Sequence, residues 1–366
     1  MQLLDVDLHQ IFPYKEIFNP SITRNEDGTF LLICRLQNKS SEGSLGLCIL
    51  DANFNPVRSI AVIRDSPLMK GDAKIMLEDP RTFLHEGKIY LSHVESSPSF
   101  LYFCYTVFGS MTADGSLLNP IILDYKKNRR AFETVKRLGQ SEKEKTLPLK
   151  NWLVDKNWQF FIRENEYYCI YQAGEKHELF RFEYPAGTIR KKYNTYSKIP
   201  WGYGRISGGA SPVLHSDGFY YSFFHSWTEW NNPAEKQTWL QRRYHVGVYL
   251  FEENPPFRIK LISEYPLVSG SESDRLAGSG HSAVFPGSAL FDNEKNEWIL
   301  AIGWNDHSCK IVRIPQEKLI SGLLPVSRLS YLAILKKESV PVFKKLRGLG
   351  GRMYRGSGLK KILRKK

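Results

Sequence analysis

The chain has 366 residues, of which 42% are hydrophobic and 13% are aromatic. This composition supports a large folded core and excludes a chain that is mostly disordered. The sequence holds no apolar run of about 18 residues, which excludes a membrane-spanning helix.

The excess positive charge is concentrated at the C-terminal end of the chain. Residues 336–366 contain twelve Lys or Arg and a single acidic residue, Glu338, which gives 12 − 1 = +11 of the total of +13. Residues 1–335 therefore carry only 13 − 11 = +2. We predict a nearly neutral catalytic domain at 1–335 and a basic, partly amphipathic tail at 336–366. The tail can lie on an anionic membrane surface or be simply solvated, and no nucleic-acid partner is expected.

The N-terminal segment Met1–Asp7 lacks the basic and apolar regions of a secretion signal. We therefore expect a cytoplasmic protein that is peripheral at the membrane when its tail is bound. The Asp5-Val6-Asp7 sequence has the D-x-D form of metal-dependent glycosyltransferases, but it precedes every predicted strand, so we assign it no function.

Five dispersed cysteines without Cys-x-x-Cys spacing predict neither a disulfide framework nor a zinc site. We interpret them as small core residues. No metal-ligand cluster is evident, and the sequence predicts no cofactor.

The chain repeats one hairpin pattern, in which a polar turn precedes or divides runs of β-branched and aromatic residues. The five hairpins are Asn25–Arg35, His85–His93, Arg163–Tyr171, His215–His225 and Asp292–Gly303. A strand-like segment precedes each hairpin, and a third strand follows it. Five such three-strand units predict an all-β fold, a five-bladed β-propeller with a basic C-terminal tail. A β-sandwich is the competing architecture.

Two longer loops interrupt this pattern, at residues 108–150 and 226–243. The first is highly charged and is interpreted as solvated. The second carries Trp227, Trp230 and Trp239, whose rings suit either sugar stacking or packing in a lid. After Pro315 the strand pattern ends, and residues 316–335 are predicted to be a short helical or irregular closing segment.

In a propeller the innermost strands line a central channel, which brings the start of each unit to one funnel. Asp79 is the best candidate there for a proton donor or base. Strand alternation predicts that Glu78 points to the opposite face, whereas Arg81 shares the face of Asp79. A structural ion pair between Asp79 and Arg81 is the alternative. Lys156, Arg35, His225 and Asp306 converge on the same funnel in this fold.

The order of several short motifs resembles that of the five-bladed propeller enzymes around the β-mannoside phosphorylases of glycoside hydrolase family 130 and the related mannosyltransferase/phosphorylases. The resemblance extends from about Asn19 to Ile314. The motifs that carry it are Asn19-Pro20, Glu78-Asp79-Pro80-Arg81, Ser207-Gly208-Gly209 to Pro212, Phe223-Phe224-His225, Tyr244–Leu250, Val284-Phe285-Pro286-Gly287 and Gly303-Trp304-Asn305-Asp306.

This resemblance implies that Asp79 is the general acid. It also implies that a set of further residues contacts sugar or phosphate: Asn19, Arg35, Arg81, Lys156, His225, Tyr244 and Asp306. One departure concerns phosphate, since the family phosphorylases have an arginine at the end of the third hairpin where this chain has Tyr171-Gln172.

The leading hypothesis is a glycosyltransferase of glycan biosynthesis that uses a sugar donor and an oligosaccharide or lipid-linked acceptor. The first alternative is a glycoside hydrolase or phosphorylase acting on mannoside-like oligosaccharides. The second is a non-catalytic propeller that binds glycans.

Overall fold

The computed structural model describes residues 1–38, 43–68, 75–97, 100–138, 153–154, 156–230, 241–271 and 281–329. Within these residues the strands form five sheets arranged as a propeller, which confirms the predicted all-β propeller fold. The tail at 336–366, with its predicted membrane contact, lies outside the described residues.

The N-terminal part of the chain forms the first two sheets. The opening strand is β1 (Gln2–Val6). The first sheet consists of β2 (Glu16–Arg24), β3 (Phe30–Gln37), β4 (Ser44–Leu50) and β5 (Pro56–Ile63). The second sheet consists of β6 (Met76–His85), β7 (Lys88–Ser97), β8 (Phe100–Met111), β9 (Leu117–Ile121) and, after helix α1 (Lys126–Leu138), β10 (Leu153–Val154).

The rest of the chain forms three more sheets. The third consists of β11 (Gln159–Arg163), β12 (Glu166–Gln172), β13 (Lys176–Phe182) and β14 (Ile189–Lys198). The fourth consists of β15 (Ser207–Gly208), β16 (Val213–Leu214), β17 (Phe219–Trp230), β18 (Gln241–Glu252), β19 (Ile259–Ser263), β20 (Val268–Ser269) and β21 (His281–Ser282). The fifth consists of β22 (Val284–Asp292), β23 (Glu297–Trp304) and β24 (Ser308–Pro315).

The innermost strands lie at the centre of the ring, where β2 packs against both β6 and β22. Four sheets have a continuous innermost strand, whereas in the fourth sheet this edge is divided between β15 and β16, which both pair with β17. The predicted three-strand units are present, and sequence patterns did not reveal the outer strands added to them.

Apolar clusters fill the space between neighbouring sheets and close the ring. Five of the clusters contain residues from two neighbouring sheets, and a sixth joins the second sheet to α1 through Tyr105, Val107 and Ala131. Representative members of the five clusters are Leu45 and Leu91, Phe108 and Phe160, Phe161 and Tyr220, Tyr221 and Trp298, and Leu32 and Ile299. All five cysteines are buried, as predicted for small core residues.

The N-terminal strand β1 completes the fifth sheet by pairing antiparallel with β24, from Gln2 with Arg313 to Val6 with Cys309. The expectation that Asp5-Val6-Asp7 precedes every strand is therefore wrong. Asp5 instead forms an ion pair with Lys310, with Nζ 2.6 Å from Oδ1.

The closing segment after Pro315 begins with the predicted helix, α2 (Gln316–Ser321). Two short strands follow it, β25 (Leu323–Pro325) and β26 (Ser327–Arg328). They pair with β19 and β14, so this segment adds outer strands to the fourth and third sheets. The pattern was too short to reveal strands of two or three residues.

The two predicted loops contain regular structure where they are described. Part of the first forms β9 and α1, and part of the second extends the β17–β18 hairpin as far as Trp230 and back from Gln241. Trp239 lies outside the described residues. No helix within the described ranges is long and apolar enough to cross a bilayer.

We expect Val6→Asp to lower the free energy of unfolding by about 3 kcal/mol, because it buries an unpaired carboxylate beneath β1. The Val6 side chain is buried in the cluster between the fifth and first sheets. Leu3→Asp is the control on the opposite face of the strand, where the side chain is 42% exposed, and we expect it to cost less than about 0.5 kcal/mol. Urea unfolding measures both, and equal losses would contradict the role of β1.

Candidate functional site

The inner strands of the first two sheets share a distortion at the centre of the ring. The pairing of β2 with β3 skips Asn19 and Pro20, and that of β6 with β7 skips Asp79 and Pro80. Asn19 and Asp79 both have φ of 50°, a left-handed conformation that Asn and Asp adopt more readily than other non-glycine residues. Such β-bulges change the direction of side chains, and these two meet.

Asp79 is a buried carboxylate whose two oxygens have different partners. Its side chain is 6% exposed. Oδ1 accepts a hydrogen bond of 2.8 Å from Asn19 Nδ2, and Oδ2 lies 3.4 Å from Lys156 Nζ. Residues from three consecutive sheets or the loops before them therefore hold one carboxylate. The predicted convergence of Lys156 with Asp79 is present, and Asn19 joins them.

Glu78 lies beside Asp79, contrary to the expectation that it would point to the opposite face. Its Oε2 is 3.9 Å from Lys156 Nζ and 3.2 Å from Arg35 Nη1, and its Oε1 accepts a 2.7 Å hydrogen bond from Ser96. The alternation that predicted opposite faces fails because the bulge falls between Glu78 and Arg81. Lys156 thus bridges two adjacent carboxylates.

Arg35 and Lys156 both face the same oxygen of Glu78, Oε2. The guanidinium of Arg35 lies over the ring of Phe18, 4.9 Å from the ring centroid, a cation–π arrangement that fixes its direction. Its side chain is only 13% exposed. The predicted contact of Arg35 with a ligand stays a prediction, and its contact in the structure is with Glu78.

Arg81 is fully buried and connects several sheets. Its Nε donates a 2.7 Å hydrogen bond to the carbonyl oxygen of Gly209, and its Nη2 donates a 3.0 Å bond to Asn157 Oδ1. Its Nη1 reaches the carbonyl oxygen of Asp79 at 3.3 Å, and the ring of Phe285 lies below it at 4.9 Å. The predicted contact of Arg81 with a ligand stays a prediction, and its contacts in the structure are with these neighbours.

His225 lies next to this group at the end of the fourth hairpin. Its ring is 5.0 Å from that of Phe285 and nearly parallel to that of half-buried Tyr244 at 6.1 Å. The Nδ1 atom of His225 is buried without a hydrogen-bond partner among the described residues, and so is Asn19 Oδ1. Buried polar atoms are normally satisfied, so this pair marks the centre of the ring as a place where a polar ligand fits.

Opposite charges in the site stabilise the ionised forms of Asp79 and Lys156. Burial opposes ionisation of Asp79, but the positive charges of Lys156, Arg35 and Arg81 outweigh it and hold its pKa below the usual value. Asp79 in turn raises the pKa of Lys156. Burial lowers the pKa of Arg81 to about 10, with Asp79 opposing the shift. At neutral pH all of these groups are charged.

His225 is neutral at the same pH. Burial, together with the positive charges of Arg81 and Lys156, lowers the pKa of its imidazole to about 3, although Asp79 opposes the shift. It can therefore serve as a hydrogen-bonding group in this site but not as a cation.

The motif Gly303-Trp304-Asn305-Asp306 ends in a turn whose two residues differ in exposure. Asp306 is exposed in the turn that follows β23, with φ of 52°, whereas Asn305 before it is buried. The turn lies at the same end of the ring as Asp79, because a Cβ atom at Gly303 would collide with Asn19 Oδ1. The predicted ligand contact of Asp306 stays a prediction.

Sequence reasoning missed Asn157 and undervalued Glu78. Both could have been found from one signal, the recurrence of Asn or Asp in or just before the inner strand. Asn19, Asp79 and Asn157 all have positive φ, so the repeated residue type marks a break in regular strand conformation, which in β2 and β6 is a bulge.

Neither a family model nor a curated protein sequence matches the chain. Several solved structures resemble it in fold. The β-1,2-mannobiose phosphorylase of Listeria innocua has 11% sequence identity and a TM-score of 0.59, and the match covers 88% of this chain and 99% of that one.

Two proteins of Leishmania mexicana also resemble the chain. A mannose phosphorylase, solved with a phosphate ion, has 11% identity and a TM-score of 0.54, covering 89% of this chain and 92% of that one. A GDP-Man-dependent mannosyltransferase has 10% identity and a TM-score of 0.54, covering 90% and 94%. At this identity the likenesses show the fold alone, and the proteins that share it act on carbohydrates.

We expect Arg81→Met to destabilise the protein by about 3–5 kcal/mol, because it leaves the buried Asp79 charge without one of its compensating cations. Arg190→Met is the matched control, since the Arg190–Glu183 pair is about half exposed and should contribute less than about 1 kcal/mol. Urea unfolding measures both variants. A loss below 1 kcal/mol for Arg81→Met would contradict its structural role.

We expect His225 to make stability fall in acid. Its pKa is about 3 in the folded protein and 6.5 as the ordinary value, so below pH 6.5 the unfolded chain binds a proton that the folded protein excludes. The free energy of unfolding that depends on a neutral His225 is fully present above pH 6.5, and it is lost as the pH falls toward 3. At about 1.4 kcal/mol per pH unit, the loss by pH 5 is about 2 kcal/mol.

The free energy of unfolding at pH 7 and pH 5 measures this loss. The decrease should be about 2 kcal/mol smaller in His225→Gln than in the wild type. His9→Gln, at an exposed histidine, should show the wild-type decrease, and the same decrease in all three proteins would contradict the assignment.

Proposed function

We propose that the protein is a glycosyltransferase that forms a glycosidic bond at the centre of the ring, with Asp79 as the general base. The observation that carries this proposal is the position of the Asp79 carboxylate at the centre of the ring, where Asn19 and Lys156 hold it and the neighbouring positive charges keep it ionised. An ionised carboxylate accepts a proton from an acceptor hydroxyl, whereas protonating a leaving sugar requires a carboxyl group whose pKa is raised.

The net charge of the site suits an anionic donor. Lys156, Arg35 and Arg81 carry three positive charges and Glu78 and Asp79 two negative ones, which leaves 3 − 2 = +1. The Lys156 side chain is the more accessible cation at 35% exposure, compared with 13% for Arg35. A sugar activated by a phosphate or diphosphate group would direct this group to Lys156.

In the proposed reaction the acceptor hydroxyl oxygen attacks the anomeric carbon of the donor. The new C–O bond forms as the bond from this carbon to the phosphate oxygen breaks, and the electron pair leaves with the phosphate group near Lys156. The hydroxyl proton moves to Asp79. Asn19 holds Oδ1 at 2.8 Å, so Oδ2, whose contact with Lys156 is longer at 3.4 Å, is the oxygen that receives the proton. No change of oxidation state is involved.

Further parts of the proposal concern the partners. The acceptor is an oligosaccharide or a lipid-linked glycan, and the tail at 336–366 brings the enzyme to an anionic membrane surface. The charge of +11 in this segment supports this part.

The second candidate is phosphorolysis or hydrolysis of mannoside-like oligosaccharides, with Asp79 as the acid. The phosphorylases that share the fold favour it, as does Lys156, a partly exposed lysine that can bind phosphate. It requires Asp79 to gain a proton, which a phosphate anion bound near Lys156 would promote by neutralising the positive charge.

The test is to incubate the purified protein with a panel of nucleotide sugars, sugar 1-phosphates and oligosaccharides and to identify the products by mass. Transfer from a phosphate-activated donor supports the proposal, and release of sugar 1-phosphate or free sugar from an oligosaccharide replaces it with the second candidate. Glycan binding without turnover of any donor would indicate a non-catalytic propeller.

We expect Asp79→Asn to reduce turnover by about 10²–10⁴-fold, because an amide cannot accept the proton. Asp5→Asn is the matched control, since the Asp5 side chain is 75% exposed on β1 and should leave the rate unchanged. Rates at saturating donor and acceptor measure both variants. Undiminished turnover in Asp79→Asn would remove Asp79 from the mechanism.

A further inference from the structure

A cavity of about 850 Å³ opens between the third sheet and the segment that leads to the fourth, and Asp79 is not part of its lining. We call it the side cavity. Its lining includes Gln172 and Lys176 from the third sheet and Ile199, Trp201, Arg205 and Ile206 from the segment that leads to the fourth. This volume lies in the range of about 300–1,000 Å³ that is typical of small-molecule sites and can hold a ligand of about two sugar rings.

The side cavity shares a wall with the Asp79 site. Ile206 is followed by Ser207 and Gly208, and a Cβ atom at Gly208 would collide with the carbonyl oxygen of Asn157. Asn157 in turn accepts a hydrogen bond from Arg81. The chain between Arg205 and Gly208 therefore connects the lining of the cavity to the residues that surround Asp79.

An aromatic ring of fixed orientation lines the side cavity. The Nε1 of Trp201 donates a 3.0 Å hydrogen bond to Ser226 Oγ, and its ring packs edge-to-face on Phe224 at 4.9 Å. Tyr203 lies 5.1 Å from the same ring. An indole held in this way presents an apolar surface without losing further side-chain entropy when a ligand binds.

The charged groups around the cavity balance. Lys176 and Arg205 line it with Glu175, and Glu178 Oε2 lies 2.7 Å from Lys176 Nζ, which gives two positive and two negative side chains. Donors and acceptors stand side by side without excess charge. This chemistry matches neighbouring hydroxyl groups of a neutral sugar better than it matches a phosphate group.

We propose that the side cavity is a binding site for a neutral oligosaccharide, and that it holds the part of the acceptor remote from the new glycosidic bond. This role as an acceptor site rests on the proposed glycosyltransferase function. It gives the enzyme a preference for longer acceptors, because only these reach from Asp79 into the cavity.

The test compares a mannobiose with a mannotetraose of the same linkage by isothermal titration calorimetry. We expect the tetrasaccharide to bind the wild-type protein at least about tenfold more tightly. Ile199→Trp fills the cavity and should reduce this ratio to less than about twofold while leaving the affinity for the disaccharide unchanged. Arg205→Ala, at an exposed side chain, should lower the ratio of tetrasaccharide to disaccharide affinity by about threefold. The matched control is Ile320→Trp, at a 48% exposed position on α2.

The inference would be overturned if Ile199→Trp had the same tetrasaccharide to disaccharide affinity ratio as the wild type. It would also be overturned if the tetrasaccharide did not bind at all. GDP is the competing probe, and loss of its affinity in Ile199→Trp with an unchanged oligosaccharide ratio would assign the cavity to the donor instead. The unfolding temperature shows whether Ile199→Trp is folded, and Arg205→Ala provides the test if it is not.

The failure of the inference can be distinguished from the failure of the proposed function. The chain-length ratio measured with Asp79→Asn, which does not turn over, reports on the cavity alone. A tenfold ratio together with no turnover in the wild type would leave the cavity assignment standing and reject the transferase, whereas turnover without any chain-length preference would reject only the cavity.

Discussion

The burial of one negative charge at the centre of the ring sets the conditions for everything around it. An ionised carboxylate removed from water is strongly unfavourable unless cations and hydrogen bonds compensate it. Asp79 obtains this compensation from other parts of the ring, through Asn19 on one side and Lys156 on the other. Arg81 extends the arrangement to Gly209 and to the ring of Phe285. The site therefore exists only when the sheets are assembled, and its geometry depends on closure of the whole ring.

This dependence explains what the sequence could and could not predict. Hairpin patterns such as Asn25–Arg35 are local, and they predicted the strands and the propeller. The convergence of Asp79 with Lys156 followed from the repeat alone. Glu78 was assigned to the wrong face because period-two alternation holds only in an unbroken ladder, and the bulge at Asp79 breaks it. The strand at Gln2–Val6 is defined by a partner that lies some three hundred residues away, and the side cavity arises from the spacing of two sheets, which no short motif encodes.

Close approach of the inner strands gives the centre of the ring its shape. At Gly287 a Cβ atom would collide with the carbonyl oxygen of Pro20, and at Gly303 it would displace Asn19. The absence of these side chains allows the fifth sheet to press against the first, which orients Asn19 toward Asp79. The side cavity has the opposite character, because the third sheet and the segment that leads to the fourth leave an open volume of about 850 Å³ between them. A tightly packed catalytic centre and a more open ligand-binding cavity can thus lie next to each other in one fold.

The pairing of β1 with β24 has a consequence for synthesis on the ribosome. Asp5 and Lys310, which meet across this pair, are 305 residues apart. At about 5–20 residues per second, β24 follows β1 by about 15–60 s. During this time the fifth sheet is incomplete. The edge of β1 is unpaired, and its apolar face is not covered by the finished sheet. The other sheets can form as they are completed, but the last interface depends on the most distant contact. The nascent chain is thus most exposed to aggregation just before the ring closes, at its first strand.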